Sequence, residues 1–499
     1  MSDMHHTGTA GINPQRPDAS APSTECLDAP SAIRADTKPT DDTTTRILDR
    51  RYEIGVSDRH RWTTWAHRWP VFTRLLTALP VALLVLATLL LIPIPSAPGP
   101  LRDSLGGSDY RAYRMAGRMV LSGERDRFYD LDVQFAHQTA EWPELTLRRE
   151  LLSFLYPPFV AAVMAPIAAL PLERGYLIWT AVEVVVLLVL LANWLAALPV
   201  ASAAGRRFAA VLCLTYVPVG LTLIHGQLSF VLALAALLTW RELDRGREGR
   251  AGLWLALLAI KPQLLPVPVL VLLVQRRWRA LGGLAAGLAV LGGISVAVVG
   301  WSGLGLWLRV LPEAARWGDN YGIHPQLMNT WRGLLHRLLA TDDAAAVEPL
   351  WQAGVVVVGL VLIWAARRRA APGTRRLALL WAGTICGVVV ASPHLYAHDL
   401  MLLLVPAALL IRAARGRDRL DWWLIAPVAA WYLAAWAPHQ PVEVLRCQLT
   451  VLVSGFALAV VAYRLATAAP EPATAPPPGL AGRRGPGPSV RTSVAEPAD

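Results

Sequence analysis

Long apolar runs alternate with short arginine-rich gaps through most of the chain. Runs such as 80–95, 182–198 and 281–299 carry almost no charge, which predicts membrane-spanning helices of about 20 residues each rather than the one-sided helices of a water-soluble domain. Two stretches break that rhythm. Run 251–274 has Lys261-Pro262 at its middle and arginines at its ends, so it reads as two half-helices meeting at an outward tip, a break that needs protein or a wet cavity to satisfy its backbone. Between Tyr156 and Leu198 there is room for two spans where the charge pattern asks for one net crossing. Either 157–171 is re-entrant or Arg206-Arg207 lies outside. The pattern predicts an all-α polytopic membrane protein of about 11–12 membrane segments.

One polar gap, 96–152, carries a helical pattern of its own. Ser108 suits an N-cap for a helix starting at Asp109. Tyr110, Tyr113, Gly117 and Val120 or Leu121 then share one stripe, and Arg111, Arg114 and Arg118 another. Such an amphipathic helix is expected to lie flat on the outer membrane surface, tyrosines toward lipid and arginines toward phosphates. Asp109 then sits in the first turn. It either helps cap the helix or presents a carboxylate at the bilayer surface, where it suits a general base acting on a hydroxyl.

Composition sharpens the class. The chain is 54% hydrophobic and 17% charged, with mean hydropathy +0.40, against about 45–50% and about 25% in average soluble domains. A soluble enzyme and a nucleic-acid binder are both excluded. The formal charge of +11 reads as topology, because the arginines cluster between apolar runs as they do in cytoplasmic loops. On that rule Arg206-Arg207, 241–250, 276–279, 367–376 and 412–419 are inside. The complement is outside: His225-Gly226-Gln227, Lys261-Pro262-Gln263, loop 301–345, Ser392-Pro393-His394 through His398, and Pro438-His439-Gln440. The first run, 76–94, follows the basic segment 59–68 and is expected to insert with its N-terminus inside. Nearly every polar residue of chemical interest then falls on one face. Residues 1–45 and 467–499, rich in Pro, Ala, Thr, Ser and Gly, are expected to be disordered cytoplasmic tails around a membrane domain at 46–466. The start lacks the apolar core of a cleavable signal peptide, and the four scattered cysteines form no disulfide framework or zinc spacing.

Among the outward residues Lys261 stands out, since the chain otherwise uses arginine and Lys38 is its only other lysine. An ammonium at membrane depth needs an anionic partner. A phosphate fits as a point-charge contact; a carboxylate within the bundle, or snorkelling to water, fits equally. His225, His324, His394 and His398 could each hydrogen-bond a sugar or phosphate. Asp130-Leu131-Asp132 has the spacing of a metal-binding acid pair, but nothing else supports a metal, and no metal or other cofactor is expected.

The order of these pieces resembles glycosyltransferase family 87. The resemblance rests on Ser108-Asp109-Tyr110 opening an aromatic helix that ends at Gly123, on Tyr129-Asp130, Tyr156-Pro157-Pro158 and Gly226-Gln227, on Ile260-Lys261-Pro262 and Asn329-Thr330-Trp331-Arg332-Gly333, and on Ser392-Pro393-His394 with Tyr396 and His398. It covers about residues 100–410 and implies a GT-C type bundle that uses polyprenyl-phosphate sugars. It implies Asp109 as the catalytic base; Lys261, His225, Gln227, Asn329, His394 and His398 are the candidate contacts to donor phosphate or substrate. The implied reaction moves a sugar, mannose first and arabinofuranose as runner-up, to a hydroxyl of a glycolipid or cell-envelope glycan on the outer face, with inversion. The implied partners are the polyprenyl-phosphate donor, that acceptor and membrane lipids, with no nucleic acid. Ser392-Pro393-His394-Leu395-Tyr396-Ala397-His398-Asp399 departs from the family's serine-tryptophan and paired-histidine pattern by keeping one histidine and following it with an acid, which loosens the transfer of donor and acceptor preference. A lipid-linked-sugar transporter remains the competing class, since Pro-interrupted helices also build transporter sites. A polysaccharide polymerase or ligase would use loop 301–345, with Arg309, Arg316 and Arg332 on phosphate.

Overall fold

The computed structural model describes residues 108–414, 421–436 and 448–467. The expected first span at 76–94, both tails and Pro438-His439-Gln440 lie outside the described residues. Within them every regular element is helical apart from one isolated bridge, Asn320 to Ile323. The α-helices in order are α1 (Tyr110–Ser122), α2 (Leu131–Glu141), α3 (Pro158–Ala168), α4 (Leu172–Ala197), α5 (Ala203–Leu214), α6 (Val217–His225), α7 (Ser229–Asp244), α8 (Glu248–Ala256), α9 (Pro266–Val274), α10 (Trp278–Ala314), α11 (Trp331–Leu338), α12 (Ala344–Ala366), α13 (Arg375–Ala391), α14 (Leu404–Ala413), α15 (Trp422–Trp436) and α16 (Leu449–Thr467).

Among the described residues α4, α10, α12 and α16 are long and apolar enough to cross a membrane alone, and α5 with α6, bent by 49°, makes a fifth crossing if counted as one. The 11–12 segments expected include half-length pieces, which this count of full crossings leaves out. The remaining apolar sequence is cut into shorter helices by prolines and turns. The α3 helix, at 11 residues, is too short for a hydrocarbon core of about 30 Å. It precedes the full-length α4, so the stretch 157–198 holds one complete span and one short helix. Run 251–274 is likewise α8 and α9 separated by two 3₁₀ turns, Leu257–Ile260 and Pro262–Leu264, with Lys261 between them. This is the broken pair expected from Lys261-Pro262.

The long helices show one inward stripe each. In α4 the buried positions include Trp179, Glu183, Leu187, Leu190 and Trp194, spaced at i+3 and i+4, while Leu177, Val185 and Leu188 are exposed as lipid-facing residues are. Where α8 crosses α10 the backbones touch. A Cβ at Gly252 would overlap the Ala280 carbonyl, and one at Gly283 the Gly249 carbonyl; only small residues allow such an approach.

Side-chain bonds sort the helix ends into two groups. Arg277 reaches Glu248 at 2.8 Å and the Ala370 carbonyl. The Gly373 N–H donates to Asp244 at 3.1 Å, Arg375 donates to the Ala413 carbonyl and to Asp421, and Arg464 also meets Asp421. These links tie together the arginine-rich ends of α7 to α10 and α12 to α16. The opposite ends, around Gln227, Lys261 and the segment 392–403, converge separately.

Candidate active site

Asp109 occupies the N-cap position of α1 yet makes no side-chain capping bond. Its carboxylate turns instead toward the α6–α7 junction, where Oδ2 accepts a 2.6 Å hydrogen bond from Gln227 Nε2 and lies 3.9 Å from His225 Nδ1. The Asp109 side chain remains 36% exposed. The stripes of the helix carrying it do not face lipid and phosphate as its pattern suggests. Tyr110 and Tyr113 are fully buried, and Arg111 and Arg114 are buried too, leaving Arg118 as the exposed member of that stripe. Protein covers both stripes. Arg114 holds Glu141 at 2.8 Å and the Leu170 carbonyl at 3.0 Å, while Arg111 donates to the Glu150 carbonyl at 2.6 Å.

Gly226 ends α6 with φ 66°, the left-handed conformation that lets the chain reverse without a Cβ penalty. Trp179 Nε1 fixes this turn with a 2.9 Å bond to the Gly226 carbonyl. Gln227 is thereby placed in the interior, where Oε1 accepts from Tyr113 at 2.8 Å and Tyr156 at 3.0 Å. Tyr129 in turn donates to the Tyr156 carbonyl at 2.7 Å. The neighbouring acids serve structure. Asp130 caps α2 through the N–H groups of Asp132 and Val133, and Asp132 pairs with Arg148 at 3.0 Å.

Lys261 reaches the same region from the broken helix. Its ammonium is 5.7 Å from the Tyr156 ring centroid and contacts both oxygens of Asp399 at 2.6 Å. Both side chains are buried, and Asp399 also accepts from Ser229 Oγ at 2.9 Å and the Tyr396 N–H at 3.2 Å. Of the partners open to Lys261 from sequence, the carboxylate is present. His398 Nε2 lies 3.5 Å from the ammonium, and its ring centroid is 6.2 Å from that of His225. His394 sits one strand of loop away, its ring 4.7 Å from Tyr396. Although its side chain keeps some exposure, burial among its neighbours, then the Lys261 charge, push it down to about 4. It is therefore neutral at ordinary pH and offers a hydrogen bond rather than a charge.

The structure thus brings Asp109, His225, Gln227, Lys261 and His398 together, with His394 beside them. Asn329 braces the arrangement from outside. Its N–H donates to the Leu395 carbonyl at 2.7 Å, and its Oδ1 accepts from Thr450 at 2.9 Å. His324 lies further along the same support: its N–H donates to Tyr396 Oη at 2.8 Å, and its ring pairs with Asp319 at 2.6 Å. Arg332 is a bracing residue as well, donating to the Ala315 carbonyl at 2.7 Å. Sequence reasoning gave Asp399, Ser229, Tyr113 and Tyr156 no part in the site itself. The signal for Asp399 was available: a lone lysine at depth requires an anion, and an acid follows His398. No three His, Cys, Asp or Glu side chains converge as a metal site would require, among the described residues.

The model of glycosyltransferase family 87 matches residues 154–393. The matched region, just under half of the chain, is similar to that family. It includes Tyr156, His225, Gln227, Lys261 and Asn329; Asp109 precedes it, and His394, His398 and Asp399 follow it. The protein is accordingly a membrane glycosyltransferase. Two curated relatives carry the name polyprenol-phosphate-mannose-dependent alpha-(1-2)-phosphatidylinositol pentamannoside mannosyltransferase. That of Mycolicibacterium smegmatis is 29% identical over 301 residues, covering 59% of this chain and 68% of its own. That of Mycobacterium tuberculosis is 28% identical over 318 residues, covering 60% and 68%. No solved structure matches the chain.

Proposed function

We propose that the protein transfers mannose from a polyprenyl-phosphate donor to a hydroxyl of a lipid-linked or cell-envelope glycan at the extracytoplasmic face. The observation that carries this reading is the pairing of a part-exposed carboxylate, Asp109, with a buried ammonium, Lys261, through Gln227 and Tyr156. The names of the two mannosyltransferase relatives favour mannose over arabinofuranose. Asp109 takes the proton of the acceptor hydroxyl while that oxygen attacks the anomeric carbon. The bond from the anomeric carbon to the phosphate oxygen breaks, and polyprenyl phosphate leaves with the electron pair. A single displacement inverts the anomeric centre, and the phosphate leaves without protonation, so one carboxylate suffices where a glycosidase needs two. An ammonium has three N–H donors; two of Lys261's point at Asp399. The third faces His398 Nε2 at 3.5 Å, a long contact that donor phosphate replaces as charge develops there.

Membranes containing the enzyme are incubated separately with labelled polyprenyl-phosphate mannose and polyprenyl-phosphate arabinose. Label passing from mannose into a glycolipid or glycan is the expected result; transfer from arabinose alone overturns the mannose assignment. Label that crosses the bilayer without joining an acceptor identifies a transporter. Asp109→Asn is expected to insert normally and lose at least about 100-fold in turnover, the lower end of general-base contributions. Near-normal turnover removes Asp109 as the base.

A further inference from the structure

Gln227 is the most tightly constrained polar side chain at this site, and its constraints come from three sides. An amide offers one acceptor oxygen and one donor nitrogen, and which end faces where is decided by its neighbours. The atom 2.6 Å from Asp109 Oδ2 must be the donor, because a carboxylate oxygen only accepts. The other end is then the oxygen, and both tyrosine hydroxyls, 2.8 and 3.0 Å away, donate to it. A flipped amide would set its oxygen against the carboxylate and its nitrogen against the tyrosines. Gln227, 3% exposed, could not turn its own oxygen to water to relieve the clash with the carboxylate. The network has one self-consistent arrangement.

From this geometry we propose that Gln227 is a positioning residue that commits Asp109 Oδ2 and leaves Oδ1 as the oxygen that receives the acceptor's proton. Oδ2 carries the short Gln227 bond and faces the His225 ring at 3.9 Å. Oδ1 has no hydrogen-bond partner among the described residues, on a side chain that is 36% exposed. Gln227 therefore acts on the base and not on the sugar or phosphate. Tyr113 and Tyr156 act one step further back, by holding the amide so that its nitrogen, and not its oxygen, faces the carboxylate. This inference rests on Asp109 being the general base.

The test uses the full-length enzyme in one lipid composition, with polyprenyl-phosphate mannose as donor, and reads kcat, KM and kcat/KM against pH. In Gln227→Glu a second carboxylate replaces the amide donor beside Oδ2. Two carboxylates at that distance resist sharing charge, so the acidic limb of the profile is expected to rise by about one pH unit or more. Gln227→Met, which cannot donate, is expected to lower kcat about 10- to 100-fold with donor KM little changed, the scale of a misplaced reacting group. Tyr113→Phe/Tyr156→Phe releases the amide and is expected to reproduce the Met phenotype. Gln227→Glu is nearly isosteric, so its pH profile decides the matter even if Gln227→Met folds poorly. A raised donor KM with an unmoved acidic limb overturns the proposal and makes Gln227 a substrate contact. Asp109→Asn separates the two claims. If it is inactive while Gln227→Glu titrates like the parent, only the positioning role fails; if it is active, the base assignment fails.

Discussion

At the scale of residues, the Lys261–Asp399 pair meets a structural demand and, in the proposed reaction, a catalytic one, and the two can be separated. Both side chains are buried and in contact at 2.6 Å. Removing one member of such a pair leaves an uncompensated buried charge and typically costs about 3–5 kcal/mol, while removing both is often nearly neutral. Lys261→Met is therefore expected to lower the unfolding temperature and impair donor use together. Lys261→Met/Asp399→Asn is expected to recover most of the stability but not the donor KM, which thermal unfolding in detergent and donor titration read independently. Normal donor kinetics in the double variant would make the pair purely structural. Lys261→Arg is expected to behave as a damaging change, because a forked guanidinium does not fit a site built around a point charge.

At the scale of elements, local pattern specified what forms but not what covers it. The break in 251–274 was legible because a lysine and a proline stand at the centre of an apolar run. The α1 helix was legible from its four-residue spacing, to within one residue at its start. Its surroundings were not. Periodicity tells which side chains share a face, but a stripe of tyrosines suits lipid and protein equally, and a stripe of arginines suits phosphates as well as the Glu141 side chain and the Leu170 carbonyl. The α8–α10 contact is a further case. Gly252 and Gly283 are unremarkable in sequence, yet each meets a backbone carbonyl of the other helix. Gly252→Val is expected to cost more than about 3 kcal/mol, at or beyond the usual limit of overpacking, with loss of folded yield measured by monodispersity after extraction. Gly305→Val, at a position with nothing within 4 Å, serves as the matched control and is expected to fold.

At the scale of the whole described bundle, charge and chemistry lie at opposite helix ends, which makes orientation testable. Single cysteines at Asp319 and at Arg279, both exposed, sample the site end and the basic end. A membrane-impermeant thiol reagent added to intact cells is expected to label Asp319→Cys at once and Arg279→Cys only after permeabilisation. Cys26 and Cys447 are replaced by serine in the parent for this test; Cys213 and Cys386 are buried and should contribute little background. The reverse labelling pattern would put the reaction on the cytoplasmic face. The 11–12 segments expected are apolar runs, several of which the described chain builds as half-length helices and bends.

The sequence by itself determined the solvent class, the arginine-marked ends, the broken helix at Lys261 and most of the polar residues that meet at the site. These follow from composition and short-range spacing, which act along the chain. Only the tertiary structure decided their partners. Asp109 meets Gln227 across 118 positions and Lys261 meets Asp399 across 138, and no local period carries information over such a separation. Which acid neutralises the lysine, which amide faces the base and which tyrosines hold that amide depend on how the helix ends are packed against one another.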